Sequence, residues 1–383
     1  MGYDDFRAGP KSRRRLYVLA VLVLALCLAS GAFLAKNYKH FGNLIKVVTL
    51  IRTQYLYPVN TVQLVDGAIK GLVAALNDPY SVYLEPKTFA QLQEQIKGTF
   101  GGLGILVGVK DNNLTVVRSY QGTPAYKAGI LPGDVISKID ERDVRGLDLE
   151  TAISLMRGPV GSVINLTVIR HGSPEPLHFP LVREQISVPT VEERVLPNTG
   201  IGYIILSQFT ERTAEEMRDA LARLGDAHVK GIILDLRDNP GGELLAAVNV
   251  ARNFIPKGPI VHIDYRLGSD QSFSSEGRTV QLPLVVIING GSASAAEILA
   301  GAVKDRGAGT LVGTKTFGKG IVQTVFPLSN GAGLKLTTAR YLTPDKKDIH
   351  EKGIEPDVAV QPSEERSRDV QLERAVEIMK QKI

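Results

Sequence analysis

Apolar and polar positions follow three successive rhythms along this chain, and each rhythm predicts a different kind of structure. Between residues 40 and 98, Leu44, Val47, Val48 and Ile51 recur at helical spacing, as do Leu64, Ala68, Leu72 and Leu76. Asn77-Asp78-Pro79-Tyr80 breaks that pattern, because proline disfavours helical geometry in the residue before it. A third helix is predicted from Pro86 to Ile96. From 99 to 185, short apolar runs alternate with turn residues. Leu114 to Ser119, Val135 to Ile139 and Val163 to Arg170 predict strands, and Asp148 to Met156 a helix. From 186 to 361, near-continuous apolar runs at Ile201 to Phe209, Gly231 to Arg237 and Leu284 to Asn289 mark strands buried on both faces. Amphipathic helices fall between them, one from Thr213, where Glu216 completes a capping box, and one from Glu243 to Phe254. Strands Ile321 to Phe326 and Gly333 to Tyr341 follow, and a closing segment, 362–383, holds a helix from Asp369 to Met379. Alternation of this kind predicts an α/β core. The whole reads as an α+β multidomain protein.

The N-terminus has its own pattern. Leu16 to Ala35 carries no charge and is about long enough to span a hydrocarbon core as a helix. Arg13, Arg14 and Arg15 precede it within a basic flank, residues 1–15, which favours a cytoplasmic N-terminus. The expectation is a transmembrane anchor or a signal peptide at 16–35, with everything after residue 36 outside the cytoplasm, or secreted if the segment is cleaved.

Composition narrows the chemistry. The net charge is +5, but residues 1–15 supply +3 of it, so +2 remains for the rest, too little for a nucleic-acid footprint. The single cysteine, Cys27, lies inside the apolar run, which excludes a disulfide framework and a thiolate metal cluster. The six histidines, His40, His171, His178, His228, His262 and His350, show no metal-ligand or catalytic spacing. Among them His262 is the one a fold could bring near a nucleophile.

The candidate nucleophile is Ser294. The buried run Leu284 to Asn289 leads into Gly290-Gly291, and a helix starts just behind, so a hydroxyl there would stand beside free N–H groups and a positive dipole end. Ser294-Ala295-Ala296-Glu297 is also a capping box, so the serine could simply start the helix, and Ser292 competes for the role. Lys319 is the candidate base, framed by Gly318 and Gly320; a lysine serves as base only when neutral, which burial favours. Lys315 and Lys304 are rivals without that glycine frame. Gln323 would share a face with Lys319 on an extended segment and could orient it. A second glycine turn, Asp238-Asn239-Pro240-Gly241-Gly242, could supply half of an oxyanion hole, with the amide of Ala295 as the other half.

In order, Asn77-Asp78-Pro79-Tyr80-Ser81, Leu236 to Gly242, Gly291-Ser292-Ala293-Ser294-Ala295-Ala296-Glu297, Thr316 to Gln323 and Gly353-Ile354-Glu355-Pro356-Asp357 resemble the carboxy-terminal processing peptidases, or tail-specific proteases. Residues 99–185, with Gly122 to Ile136 as their signature, resemble a PDZ domain. The resemblance implies an N-terminal helical region, a PDZ domain and a crotonase-like α/β peptidase core. It implies a Ser294 nucleophile, a Lys319 base and an orienting Gln323, with Ala295 and either Gly242 or Gly241 forming the oxyanion hole. Gly102, Leu103, Gly104 and Ile105 would hold the substrate's terminal carboxylate. No metal or cofactor is implied. Where such chains commonly have serine, Ala296 stands here. The expected partners are proteins or peptides with free C-termini, the membrane through the N-terminal helix, and a second copy of the chain through the N-terminal helices. A catalytically silent PDZ adaptor and a crotonase-like acyl-transfer enzyme are the rival readings.

Overall fold

In the computed structural model, the described residues are 39–383 without 41, 111, 364, 366 and 367, together with Val21. The chain divides into two units, Met1–Ala75 and Leu76–Ile383. The first unit contains a helix over residues 42–54 (α1) and Thr61–Ala74 (α2). Asn60 caps α2 by accepting from Val62 N–H at 2.8 Å. Leu44, Val47 and Val48, the apolar repeat of α1, are exposed.

The second unit opens with Val82–Leu84 (β1) and Pro86–Lys97 (α3), which ends at Gly98 in the left-handed conformation. Thr99–Gly102 (β2) comes next. An antiparallel sheet then forms from Ile105–Lys110 (β3), Asn113–Ser119 (β4), Val135–Ile139 (β5), Val163–Ile169 (β7) and Leu177–Val182 (β8), in the order β3-β4-β5-β7-β8. Arg142–Asp143 (β6) pairs at the side of β5, and the helices Pro124–Lys127 (α4) and Leu149–Met156 (α5) complete this domain. Alternate positions Ile164, Leu166 and Val168 of β7 are fully buried and pack with Ile136 and Ala152, the period of two expected of a sheet covered on one face. Asp134, buried in the turn before β5, takes Arg170 in a two-pronged ion pair at 2.7 Å. Gly101 and Gly102 lie on β2, which pairs with Glu184–Ser187 (β9), and β3 begins only at Ile105. Gly104, at φ +75°, makes the turn between them.

The remainder is a six-stranded sheet ordered β10-β11-β12-β15-β16-β19. Its strands are Val191–Val195 (β10), Ile201–Leu206 (β11), Gly231–Asp235 (β12), Leu284–Ile288 (β15), Thr310–Gly313 (β16) and Val358–Ala359 (β19), parallel except for β10. Thr213–Asp226 (α6), Leu244–Ala251 (α7) and Ala295–Asp305 (α8) cover one face. Val370–Lys380 (α9) covers the other. The strands show why: Ile232, Leu234, Val286 and Ile288 face α6–α8, whereas Ile233, Val285 and Ile287 face α9, so every residue of β15 is buried. A second sheet, β1-β18-β13-β14 with β17 on β18, is built from Gly258–Tyr265 (β13), Gln271–Ser275 (β14), Ile321–Pro327 (β17) and Gly333–Leu342 (β18).

Two expectations change. Thr213 and Glu216 form no capping box; Thr213 Oγ1 accepts from Thr210 N–H, and Glu216 accepts instead from the backbone and hydroxyl of Thr190. The single-pass membrane protein with an extracytoplasmic catalytic domain is also corrected. Among the described residues no helix is long and apolar enough to cross a membrane. The helices α2 and α6, each 14 residues, reach only about 21 Å against a hydrocarbon core of about 30 Å. The run from Leu16 to Ala35 lies outside the described residues, apart from Val21.

Candidate active site

Ser294 stands where β15 turns into α8, at φ +55° and ψ −113°. A helix-capping serine has extended geometry, so this conformation is not that of an ordinary cap. It is a strained strand-to-helix elbow, worth about 1–3 kcal/mol of backbone strain, of the kind that lifts a nucleophile clear of its sheet. Ser294 is partly exposed, whereas Ser292 is fully buried. The Ser292 hydroxyl donates to Leu236 O at 2.7 Å and accepts from Asn289 N–H at 3.0 Å. Its hydrogen bonds hold the two glycine turns together, and no route to substrate remains for it.

The second turn lies directly against the first. A Cβ on Gly241 would come within 2.7 Å of Ala293 O and 2.8 Å of Ser294 Cβ, so this position admits only glycine. Buried Asn239 locks the turn: its amide donates to Leu206 O, its side-chain oxygen accepts from Gly241 N–H at 2.9 Å, and its carbonyl accepts from Ala293 N–H. Gly241 N–H is thereby spent. Gly242 is exposed, and its N–H has no protein acceptor among the described residues; the same holds for Ala295 N–H at the start of α8. Two unspent donors, one from each turn, flank the serine.

Lys319 sits in the loop before β17. The loop is fixed by Glu297, fully buried in the first turn of α8. Its Oε1 accepts from Thr316 Oγ1 at 2.6 Å and Gly318 N–H at 2.7 Å, and its Oε2 from Ser294 N–H at 2.9 Å and Lys319 N–H at 2.8 Å. One carboxylate thus joins the backbones of both catalytic candidates. From β18, the Tyr341 hydroxyl lies between the carbonyls of Ser294, at 3.0 Å, and Lys319. Burial first, and Glu297 second, push this phenol well above its ordinary range, so it stays a donor at every working pH. The motif around Gly353 braces the loop from outside, with Thr316 N–H donating to Ile354 O and Ile354 N–H to Thr316 Oγ1. Sequence reading took Glu297 for a cap alone. Its larger role had one visible sign, an acid directly behind the glycine-rich serine turn.

Burial lowers the Lys319 ammonium below the ordinary lysine value, the nearby Lys335 lowers it further, and Glu297 works the other way. Its Nζ lies 5.0 Å from the centroid of the Tyr80 ring. Gln323 is not joined to it. The Gln323 amide is 3.5 Å from Ile321 O and from Thr337 Oγ1, because β17 starts only at Ile321 and its pairing with β18 slips between Val322 and Gln323. The rival groups are engaged elsewhere: Lys315 pairs with Glu355, Lys304 with Asp357, and His262 holds Ser272 Oγ and Pro344 O.

The carboxylate-gripping loop expected at residues 102–105 borders an apolar groove of about 220 Å³ between β3 and α5, lined by Leu103, Ile105, Val107, Ile153 and Met156. Leu103 O and Gly104 O accept from Ala125 and Tyr120, while the N–H groups of Leu103 and Gly104 have no protein acceptor among the described residues. Among those residues no cluster of His, Cys, Asp or Glu could hold a metal ion.

An α/β core with a serine elbow, two glycine turns and an appended PDZ domain defines a serine peptidase. Residues 200–360 match Peptidase family S41, 115–170 the PDZ domain, and 30–88 the Activating protease CtpB N-terminal domain. The chain is 41% identical to the carboxy-terminal-processing protease of Bartonella bacilliformis over 332 residues, 85% of this chain and 76% of that one. It is 37% identical to carboxy-terminal processing protease CtpB of Bacillus subtilis over 326 residues, 84% of this chain and 68% of that one. Among solved structures, the photosystem II D1 C-terminal processing protease is similar at 32% identity, with a TM-score of 0.52 over 88% of this chain and 90% of that one. The chain belongs to the carboxy-terminal processing proteases of peptidase family S41, and it is a serine peptidase acting on proteins or peptides.

Proposed function

We propose that this protease cuts its substrates with a Ser294–Lys319 dyad while its PDZ domain holds the substrate's free C-terminus. The observation that carries the reading is the Glu297 carboxylate, which ties the N–H of Ser294 to the N–H of Lys319 across one buried junction. Neutral Lys319 takes the proton as Ser294 Oγ attacks the scissile carbonyl. The resulting oxyanion is received by the N–H groups of Ala295 and Gly242. Gly241 is excluded from that role because its N–H already serves Asn239. The tetrahedral intermediate collapses as the protonated lysine gives its proton to the leaving amine, and water then repeats the sequence on the acyl-enzyme. The orienting role of Gln323 requires the lysine stem to rotate, since its amide faces β18 in this conformation. In the PDZ groove, the N–H groups of Leu103 and Gly104, flanked by Gly102 and Ile105, receive the terminal carboxylate, and the apolar pocket takes the last side chain.

The test is labelling with a fluorophosphonate together with cleavage of an unfolded protein. Ser294→Ala should abolish both while the protein still folds. Ser292→Ala should keep both and lose about 1 kcal/mol of stability through its missing hydrogen bonds. Labelling that survives in Ser294→Ala and vanishes in Ser292→Ala would reverse the assignment.

A further inference from the structure

Lys319 is held at its backbone and unheld at its tip. Its N–H goes to Glu297 and its carbonyl to Tyr341, whereas its Nζ makes no hydrogen bond or ion pair among the described residues. The tip instead lies over the face of Tyr80, 5.0 Å from the ring centroid. That is the geometry of a cation–π contact, which favours the charged amine. Tyr80 comes from a loop far earlier in the chain, and this loop is fastened at both ends of the residue. Asn77 turns it through a positive φ of 51°, and Asp78 accepts from Tyr80 N–H at 3.0 Å and Ser81 Oγ at 2.5 Å. Ser81 Oγ accepts in turn from Thr337 N–H at 3.0 Å. Thr337 belongs to β18, the same strand that carries Tyr341. One strand therefore anchors both the ring over the ammonium and the phenol behind the Lys319 carbonyl. Beyond the ring lies a cleft of about 350 Å³ bordered by Asp78, Phe317, His350 and Glu351.

We propose that Tyr80 is a positioning residue for the base: its ring parks the Lys319 side chain as the ammonium, away from Gln323, and the lysine must leave the ring to serve Ser294. This rests on Lys319 being the base. The charged groups that act on Lys319 are Glu297 from α8 and Lys335 from β18, and it touches Tyr341 and Tyr80; Asp78, His350 and Glu351 border the neighbouring cleft, and Lys352 packs its backbone on Gly318. Of these groups, the two Tyr80 variants below change Tyr80 alone, and only the leucine removes its ring face.

The experiment is the pH dependence of fluorophosphonate labelling of Ser294 and of kcat/KM, in the full chain, for the wild type, Tyr80→Phe, Tyr80→Leu and Lys319→Arg. Leucine keeps apolar cover over the amine and removes the π face. Its alkaline-rising limb should move about half a unit toward lower pH. Phenylalanine keeps the face, and its limb should coincide with the wild type. A limb in Tyr80→Leu that stays in place or moves upward overturns the proposal, as does an equal shift in Tyr80→Phe. Failure of the dyad itself reads differently: Lys319→Arg would then turn over at near-normal rate and keep the limb.

Discussion

Ser294 and Lys319 both depart from ordinary behaviour, one in a strained backbone geometry and the other in an ammonium held below the usual lysine value. Burial, then Lys335, depresses the lysine, so the neutral base is reached at a lower pH than for a free lysine. The sign follows for the proposed base: activity should be low while Lys319 is protonated and should rise as pH passes its lowered value. Lys319→Arg should be nearly inactive across that range, because guanidinium stays charged at any usable pH. Initial rates from mildly acidic to alkaline pH check this, and near-normal turnover of the arginine variant would move the base elsewhere. Both residues were legible in the sequence because glycine-rich turns surround them. Local pattern alone did not separate Ser292 from Ser294, and only the family resemblance chose between them, since what speaks against Ser292 in the fold is a bond to Leu236 O, 56 positions earlier. Tyr80 was legible only as part of a motif, because its contact with Lys319 joins distant parts of the chain.

At the scale of elements, α8 is more than a dipole behind the serine. Its Glu297 collects four donors, from the elbow and from the loop before β17. Glu297→Gln keeps the shape but turns an accepting oxygen into a donating NH2 that faces N–H groups. The expected cost is about 1–3 kcal/mol of stability. With the loop displaced, kcat should fall by about 100-fold or more with a smaller change in KM. A thermal melt beside steady-state kinetics checks both, and unchanged kcat would reduce Glu297 to a cap. The strands of the central sheet were readable because apolar runs buried on both faces have no helical period. The placement of Gln323 was not: parity along an extended segment cannot foresee the slip between Val322 and Gln323. Nor could the box at Thr213 be told from one in which Glu216 reaches Thr190 instead.

For the whole molecule, the order of domains was visible in the changing rhythm of the chain. The second sheet was not, because it joins β1, from before the PDZ domain, to β18, from near the end. Such pairings are non-local and leave no mark on either segment alone. The expected membrane span is not among the described helices. The PDZ groove, in contrast, yields a test on the intact protein. In the inactive Ser294→Ala chain, a peptide with an apolar last residue should bind at least tenfold more tightly than its C-terminally amidated twin, since the Leu103 and Gly104 N–H groups would lose their anion. Calorimetry or fluorescence anisotropy would show it, and equal affinities would exclude carboxylate capture.

Asp235 and Arg237 stand at the end of β12, just ahead of the Asn239–Gly242 turn. Asp235 takes the Tyr203 hydroxyl at 2.6 Å, and Arg237 spans from Asp235 to Asp369 and Gln371 beside α9. The last two partners come 132 and 134 positions later in the chain. On the ribosome, the strand, both glycine turns and the lysine loop all emerge before the residues that fasten this corner. The corner behind the second glycine turn is thus fastened by residues translated more than a hundred positions after the strand they hold, and a nascent copy lacks those bonds until they emerge.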